Sequence, residues 1–355
     1  MAFLDQVLQP PSYGWKDENN IFIKPTSAQI FKEFFSRVNV FKTRKNWLSF
    51  LNWIKMLLLL SFFLLFVFKY FTWWGFVAGF IYGMVVMGTH STIWFHRYCT
   101  HGAYKFKNNF WRFFTRNLSL NAFSEETYVI SHLVHHAKSD SPGDPYFAEG
   151  GFLYCFLADV NHQPIAKDLP EKDYKKVLNI MRHTGIVSNS YSQYLFWGSV
   201  AKPLNTTIFW MLNWSFWFGV FYLLGGLQLV FALFAGAFIW AIGVRTFNYD
   251  GHGKGKDVRQ EGIDFCQDDK SINQIWPGYV AGEWHNNHHL YPKSARSGFL
   301  PYQLDLAWCY IKLMNSVGVV TSYNDAKKDF IKNYQQPYLE SKKVVVSTQV
   351  VSSEQ

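Results

Sequence analysis

The chain has 355 residues and is basic, with 34 Lys and Arg against 25 Asp and Glu, a length that allows one large domain or two modest ones. One residue in five is Phe, Trp or Tyr, a load suited to rings that line a membrane–water boundary and fill lipid-facing helices. The basic residues flank hydrophobic runs instead of forming one stripe, which excludes nucleic acid as a partner and favours an anionic cytoplasmic leaflet. Cys99, Cys155, Cys266 and Cys309 are far apart with no C-x-x-C spacing, so reduced thiols are expected and neither a disulfide scaffold nor a zinc knuckle.

Residues 1–46 are polar and aromatic, with no early apolar core, and read as a cytosolic segment and not a signal peptide. A first hydrophobic hairpin occupies 47–92, with spans of about Trp47 to Tyr70 and Thr72 to Thr92. A polar region, 93–203, leads to a second hairpin at 204–247, with spans of about Leu204 to Leu224 and Leu227 to Phe247 joined at Gly225-Gly226. Each span is near the ~20 residues needed to cross a ~30 Å hydrocarbon core. Lys55, near one end of the first span, is expected to snorkel. A second polar region covers 248–340, and Ser341–Gln355, without any helix or turn pattern, reads as a disordered tail.

Four spans put residues 1–46, 93–203 and 248–355 on one side of the membrane. Lys16, Lys24, Lys32, Arg37, Lys42, Arg44 and Lys45 mark that side as cytoplasmic. The expected fold is therefore an all-α integral membrane protein with four transmembrane helices in two hairpins. Burial of these helices in a large soluble core is the alternative, disfavoured by their spanning length, pairing and aromatic flanks.

Nine of the twelve histidines fall into four clusters. His96 and His101 bound H-R-Y-C-T-H; His132, His135 and His136 form H-L-V-H-H; His252 follows Asn248 by four; His285, His288 and His289 form H-N-N-H-H. On a helix, positions i, i+3 and i+4 share a face, so each H-x-x-H-H lays three imidazoles on one stripe. Imidazole is a good iron ligand, and packing offers no reason for such bunching. His90, His162 and His183 stand alone and read as ordinary structural histidines. The second span ends near Thr92 and the fourth near Phe247, so His96 and the Asn248–His252 pair emerge at one depth, just outside the hydrocarbon. Nine ligands exceed one ion and suit two, whereas catalytic zinc normally takes three protein ligands. A histidine site at a membrane border, facing acyl chains, suits oxygen chemistry on an unactivated C–H bond, which needs a redox metal, oxygen and electrons.

With H-R-x-x-x-H (His96 to His101), H-x-x-H-H (His132 to His136), N-x-x-x-H (Asn248 to His252) and H-x-x-H-H (His285 to His289) in this order, the chain resembles the stearoyl-CoA (delta-9) desaturase-like branch of membrane fatty acid desaturases over roughly residues 45–315. The resemblance implies a four-helix stalk under a cytosolic helical cap that holds two Fe ions. It makes His96, His101, His132, His135, His136, His252, His285, His288 and His289 direct ligands, with Asn248 connected through water. It implies O2 as co-substrate, removal of two hydrogens from adjacent carbons to give a cis double bond, and a bent apolar tunnel for the acyl chain. Acyl-CoA desaturases of this branch carry W-A-R-D before the second cluster; here the stretch is Tyr128-Val129-Ile130-Ser131. The carrier is therefore left as acyl-CoA or another acyl lipid. No His-Pro-Gly-Gly and no suitable cysteine pattern is present, so a separate electron donor of cytochrome b5, ferredoxin or rubredoxin type is expected, with an acidic face for this +9 chain. The expected setting is a bacterial inner membrane or the endoplasmic reticulum, with termini and active site cytoplasmic.

Ser141-Pro142-Gly143-Asp144-Pro145-Tyr146 and Pro292 read as turns that end helices, the former also able to shape the pocket. Glu283 and Asp250 sit beside ligands and are candidates for orienting them. Trp94, Trp240 and Trp284 are candidates for tunnel walls or for ordinary packing. Two other functions share some of these features. A di-iron lipid hydroxylase would use the same ligands, and a histidine-rich metal transporter would put its ligands near mid-membrane.

Overall fold

In a computed structural model, residues 3–343 are described. The chain opens with a segment that packs as a strap. Helix α1 (Ser27–Val38) starts at Thr26, whose side chain caps Gln29 while Gln29 reaches back, so two orphan backbone donors are satisfied. Arg37, near the end of α1, pairs with Glu33 and donates to the carbonyls of Pro10 at 2.6 Å and Asn161 at 2.7 Å. That fork fastens residues 1–46 to the region between the hairpins.

Among the described residues, three helices are long and apolar enough to cross a membrane: α2 (Arg44–Tyr70), α3 (Trp73–Thr100) and a 49-residue helix at Pro203–Gly251. The last would run over ~70 Å if straight, more than twice a hydrocarbon core. It breaks at Gly225 and at Gly226, whose φ is 64°, a left-handed conformation that glycine adopts without a Cβ penalty. Across the break Trp214 and Phe234 stack edge to face with centroids 5.5 Å apart, although 20 residues separate them. The segment is thus two antiparallel helices, 203–224 and 227–251.

Glycines set how closely the two hairpins approach. A Cβ on Gly236 would lie 1.9 Å from the carbonyl oxygen of Gly79, and one on Gly83 would lie 2.3 Å from that of Gly236. The backbones of α3 and the 227–251 helix are in direct contact there, the small-residue packing that suits helices lacking a hydrophobic drive to associate in lipid. Phe68, Trp73, Leu212, Leu223 and Leu224 point outward and are exposed, an apolar surface that lipid would cover. Lys55 does not snorkel: it is buried to 2%, on the inward face of α2.

Beyond the hairpins lie short helices: α4 (Asn109–Arg116), α5 (Glu125–Lys138), α6 (Glu171–Met181), and, after the second hairpin, α7 (Ile275–Ala281), α8 (His285–Leu290) and α9 (Leu306–Ser316). One feature departs from an all-helical fold. Strands β1 (Tyr104–Phe106) and β2 (Val320–Tyr323) pair antiparallel, joining the chain after α3 to the segment that follows α9. Of several apolar clusters among the described residues, one including Val7, Trp94, Val129, Val177 and Ile311 lies in this part, and another including Leu59, Phe234 and Trp240 lies mainly in the hairpins and takes in Leu120 and Ala122. Residues 336–343 are helical; of the expected tail, 344–355 lie outside the described residues.

Candidate metal centre and adjoining cavity

Helix α3 does not stop where its apolar stretch ends. It carries His96 in its last turns, and His101 follows its final residue. Helix α5 begins at Ser124, which caps Thr127, with Glu125 and Glu126 in the first turn, where acidic groups favour the helix dipole; its last two turns present His132, His135 and His136. His252 closes the 227–251 helix, its N–H donating to the carbonyl of Asn248 at 3.0 Å. All three histidines of the last cluster lie on the six-residue α8.

These four elements bring all nine imidazoles together in two groups. One holds His96, His101, His132, His136 and His288; the other holds His135, His252, His285 and His289; within each, the candidate ligand atoms lie within 4.8 Å of one another. Each H-x-x-H-H is divided between them. The i and i+4 histidines of α5 join the first group and its i+3 histidine the second, while α8 sends His285 and His289 to the second and His288 to the first. Positions i+3 and i+4 diverge by about 100° around a helix, so one helix can serve two neighbouring centres.

The nitrogens converge as ligands do. The Nε2 atoms of His96 and His288, and of His288 and His136, are 2.8 Å apart; those of His132 and His136, and of His252 and His285, are 3.1 Å apart. Separations near 3 Å are the edges expected for donors roughly 2.0–2.1 Å from one ion. The Nε2 atoms of His101, His135 and His289 are buried with no hydrogen-bond partner among the described residues, an arrangement that is costly unless a cation is bound. A metal pair therefore fits the residues present.

Carboxylates hold four of the rings from behind. Glu283 contacts His96 Nδ1 at 2.7 Å, Asp144 contacts His135 Nδ1 at 2.9 Å, Asp140 contacts His252 Nδ1 at 3.1 Å, and Asp269 bonds His289 Nδ1. Such bonds fix the tautomer and leave Nε2 for a metal. Burial holds His101, His132, His136, His285 and His288 well below the ordinary histidine range and His289 at about 4. Neutral imidazole is the ligating form. Burial acts on His135 in the same direction, but Asp144 outweighs it and leaves that ring raised. Burial alone would raise Asp269, yet its bond to His289 holds the carboxyl far below the usual range.

Arg97, next to His96, is buried and donates to the carbonyls of Ala295 and Gly282, to Ser297 Oγ and to Asp305, locking α3 onto the segments around α8. Asp140 and Asp269 carry no motif, and sequence reasoning missed both. Asp144 does its work from within the Gly-Asp-Pro turn, and Glu283 orients a ligand as expected. Asp250 does not; its nearest charge partner is Lys254 at 3.8 Å. Of the three lone histidines, His90 is bonded to Thr115 and Ser119, His183 to the carbonyl of Tyr98, and His162 to Tyr13 through Nε2, its Nδ1 having no partner among the described residues.

A cavity of about 400 Å³ opens beside the imidazoles, bordered by His96, His132, His285 and Asn248. Asn248 Oδ1 is buried without a partner among the described residues. Trp240 lines this space, whereas Trp94 donates to Glu125 and Trp284 to the carbonyl of Leu304, both in the packed interior. Tyr128 also lines it and stacks on His132 with planes 18° apart. Val129, Ile130 and Ser131 are buried in α5 and offer no surface to a head group.

A family model described as fatty acid desaturase matches residues 71–312. Among similar proteins, an sn-1 stearoyl-lipid 9-desaturase of Anabaena variabilis is 25% identical over 295 residues, covering 78% of this chain and 96% of that protein. An icosanoyl-CoA 5-desaturase of Limnanthes douglasii is 27% identical over 264 residues, covering 71% and 66%. An sn-1 stearoyl-lipid 9-desaturase of Synechocystis sp. is 27% identical over 273 residues, covering 71% and 72%.

Proposed function

The chain belongs to the fatty acid desaturase family, and from that premise we propose that its two imidazole groups hold a pair of iron ions that serve an acyl chain lying in the adjoining cavity. The protein is an acyl desaturase, an oxidoreductase of lipid metabolism. The single observation that carries the metal reading is the convergence of nine imidazoles into two groups, with the cavity against them. When bound, the iron pair would supply the oxygen-activating redox chemistry that C–H bond removal requires.

The rest is work for the chain's own residues. The nine histidines named above are the ligands in this reading, and Asn248, bordering the cavity with its Oδ1 unpartnered, reaches the site through water. Glu283, Asp140, Asp144 and Asp269 keep the ring protons on Nδ1. The cavity walls hold two adjacent carbons of a flexible chain at the cages and exclude bulk water, so positioning does much of the catalytic work. The product is a cis double bond, with O2 and two electrons consumed.

Four spans, with the metal-bearing regions and both flanks on the cytoplasmic side, agree with the break at Gly225–Gly226 and with the basic residues of 1–46. The relatives named above act on a stearoyl-lipid and on icosanoyl-CoA, so this chain is assigned an acyl substrate on either carrier. Its electrons come from a separate donor of cytochrome b5, ferredoxin or rubredoxin type.

Fatty-acid profiling of a desaturase-deficient host expressing the chain tests this reading. New unsaturated acids are expected, and they should vanish with His135→Ala. Hydroxylated acids without new double bonds would point to a hydroxylase, and desaturation that survived in the mutant would remove the catalytic assignment.

A further inference from the structure

The cavity lining is mixed. Met84, Gly88, Trp240, Val280 and Ala281 contribute to it, with Gly88 lying against the last three, and so do Asp159, Gln163 and Arg245. On the 227–251 helix, Asn248 is about one turn past Arg245 and two turns past Trp240, so the three residues line the cavity at different depths.

Arg245 and Asp159 form a buried pair, each 8% exposed. Nη2 donates to Oδ2 at 2.8 Å, and Nη1 lies 2.6 Å from Oδ1 and 3.4 Å from the carbonyl of Phe156. The guanidinium also sits 4.8 Å from the Trp53 ring centroid. Of the five N–H donors of a guanidinium, these contacts engage at most three, and Nε has no hydrogen-bond partner among the described residues. A buried ion pair is no assured source of stability, because desolvation offsets its attraction. This pair touches none of the nine imidazoles, so the metal centre does not account for it.

We propose that Arg245, held in place by Asp159, binds the carbonyl oxygen at the carboxyl-derived end of the acyl substrate, whether a thioester or an ester. The proposal rests on the acyl-desaturase reading of the cavity and adds the point from which the chain is measured. With its charge balanced by Asp159, the guanidinium offers donors to a neutral acceptor such as an acyl carbonyl and little net attraction to a phosphate or a free carboxylate. The hydrocarbon then runs past the imidazole groups toward Met84 and Trp240. The spacing between Arg245 and the cages selects which carbons react, so Arg245 is a specificity-determining residue and Asp159 a positioning one.

The test compares three labelled probes on the purified, metal-free full chain in lipid nanodiscs: stearoyl-CoA, a stearoyl glycerolipid, and the octadecyl ether of the same glycerolipid, which lacks the carbonyl. The wild-type chain is expected to bind an acyl probe about tenfold more tightly than the ether, the scale of one hydrogen bond to a charged group; the acyl probe it prefers identifies the carrier. Arg245→Met combined with Asp159→Leu removes both charges without stranding either, and should abolish that preference. In the iron-loaded protein the same double variant should spread the double bond over several positions at unchanged iron content. Equal binding of ester and ether by the wild type, or a preference that persists in the double variant, overturns the proposal. The wild-type comparison stands even where the variant fails to fold. An iron-loaded wild type that prefers the ester yet forms no double bond would instead count against the desaturase reading.

Discussion

An imidazole has two nitrogens, and a metal site works only if the right one faces inward. In this protein that choice is made by carboxylates, unevenly. Three of the four rings in the second group have one, Asp144, Asp140 and Asp269, whereas in the first group only His96 does. Asp269→Asn should therefore weaken the second site selectively, by about tenfold to a hundredfold in metal affinity, the usual effect of removing such a partner. Iron titration of the purified variant should show one site filling normally and one displaced to higher iron; two sites filling as in the wild type would exclude the orienting role. The histidine clusters themselves were legible in the sequence because their spacing is local. Glu283 was legible as an orienting carboxylate because it precedes His285 by two, but not its partner His96, 187 residues away; Asp140, 112 residues from His252, and Asp269 carried no mark at all. Only tertiary folding selects those partners. Trp94 and Trp284 illustrate the same limit, because a tryptophan near a ligand has no sequence mark that separates cavity wall from packed interior.

Helices turn these side chains into a site. Hydrophobic length and the Gly225-Gly226 link made the hairpins readable, since few foldings bury so much apolar surface and keep every backbone group bonded. What could not be read is the division of each H-x-x-H-H between two centres, which depends on how α5 and α8 face each other. Nor could the register of α3 against the 227–251 helix be read, although glycines set it. Gly236→Val places branched carbon where the Gly79 carbonyl lies at 1.9 Å from an added Cβ, so the helices must separate or the backbone shift. The expected cost is about 1–3 kcal/mol, typical of overpacking, seen as a lower thermal midpoint in detergent. Gly219→Ala is the control, because an added Cβ there meets nothing within 4 Å; it should leave stability unchanged or slightly raised, as helix propensity favours Ala. Equal midpoints for the two variants would show that the close pass does not govern packing.

At the scale of the whole molecule, the histidines add a tie between the hairpins and the region above them. Apolar contacts already cross that boundary, Leu120 and Ala122 clustering with Trp240 and Ala201 with Trp47, while the grouped histidines come from the end of α3, from α5, from His252 and from α8. Helix α8 is the weak member. Six residues are far too few for an independently stable helix, and three of its residues belong to the two imidazole groups. Asn286 and Asn287 give it a second hold, donating to the carbonyls of Cys266, Ser271 and Ser297 at 3.1, 2.8 and 2.7 Å. Metal removal should therefore loosen α8 without releasing it. Ligand binding stabilises a fold by about 4 kcal/mol at a thousandfold excess over Kd, and here that contribution would be concentrated on the segments that supply ligands. Chelation is expected to speed amide hydrogen exchange in α8 and around His252 by more than tenfold, leaving α2 and the Gly79–Gly236 contact unchanged, since local opening follows local stability. If exchange rose equally in the hairpins, the hairpins and the region above them would have to be one cooperative unit. If it rose nowhere, the asparagine bonds alone would suffice to hold α8, and the metals would be passengers in a preformed site and not part of what shapes it.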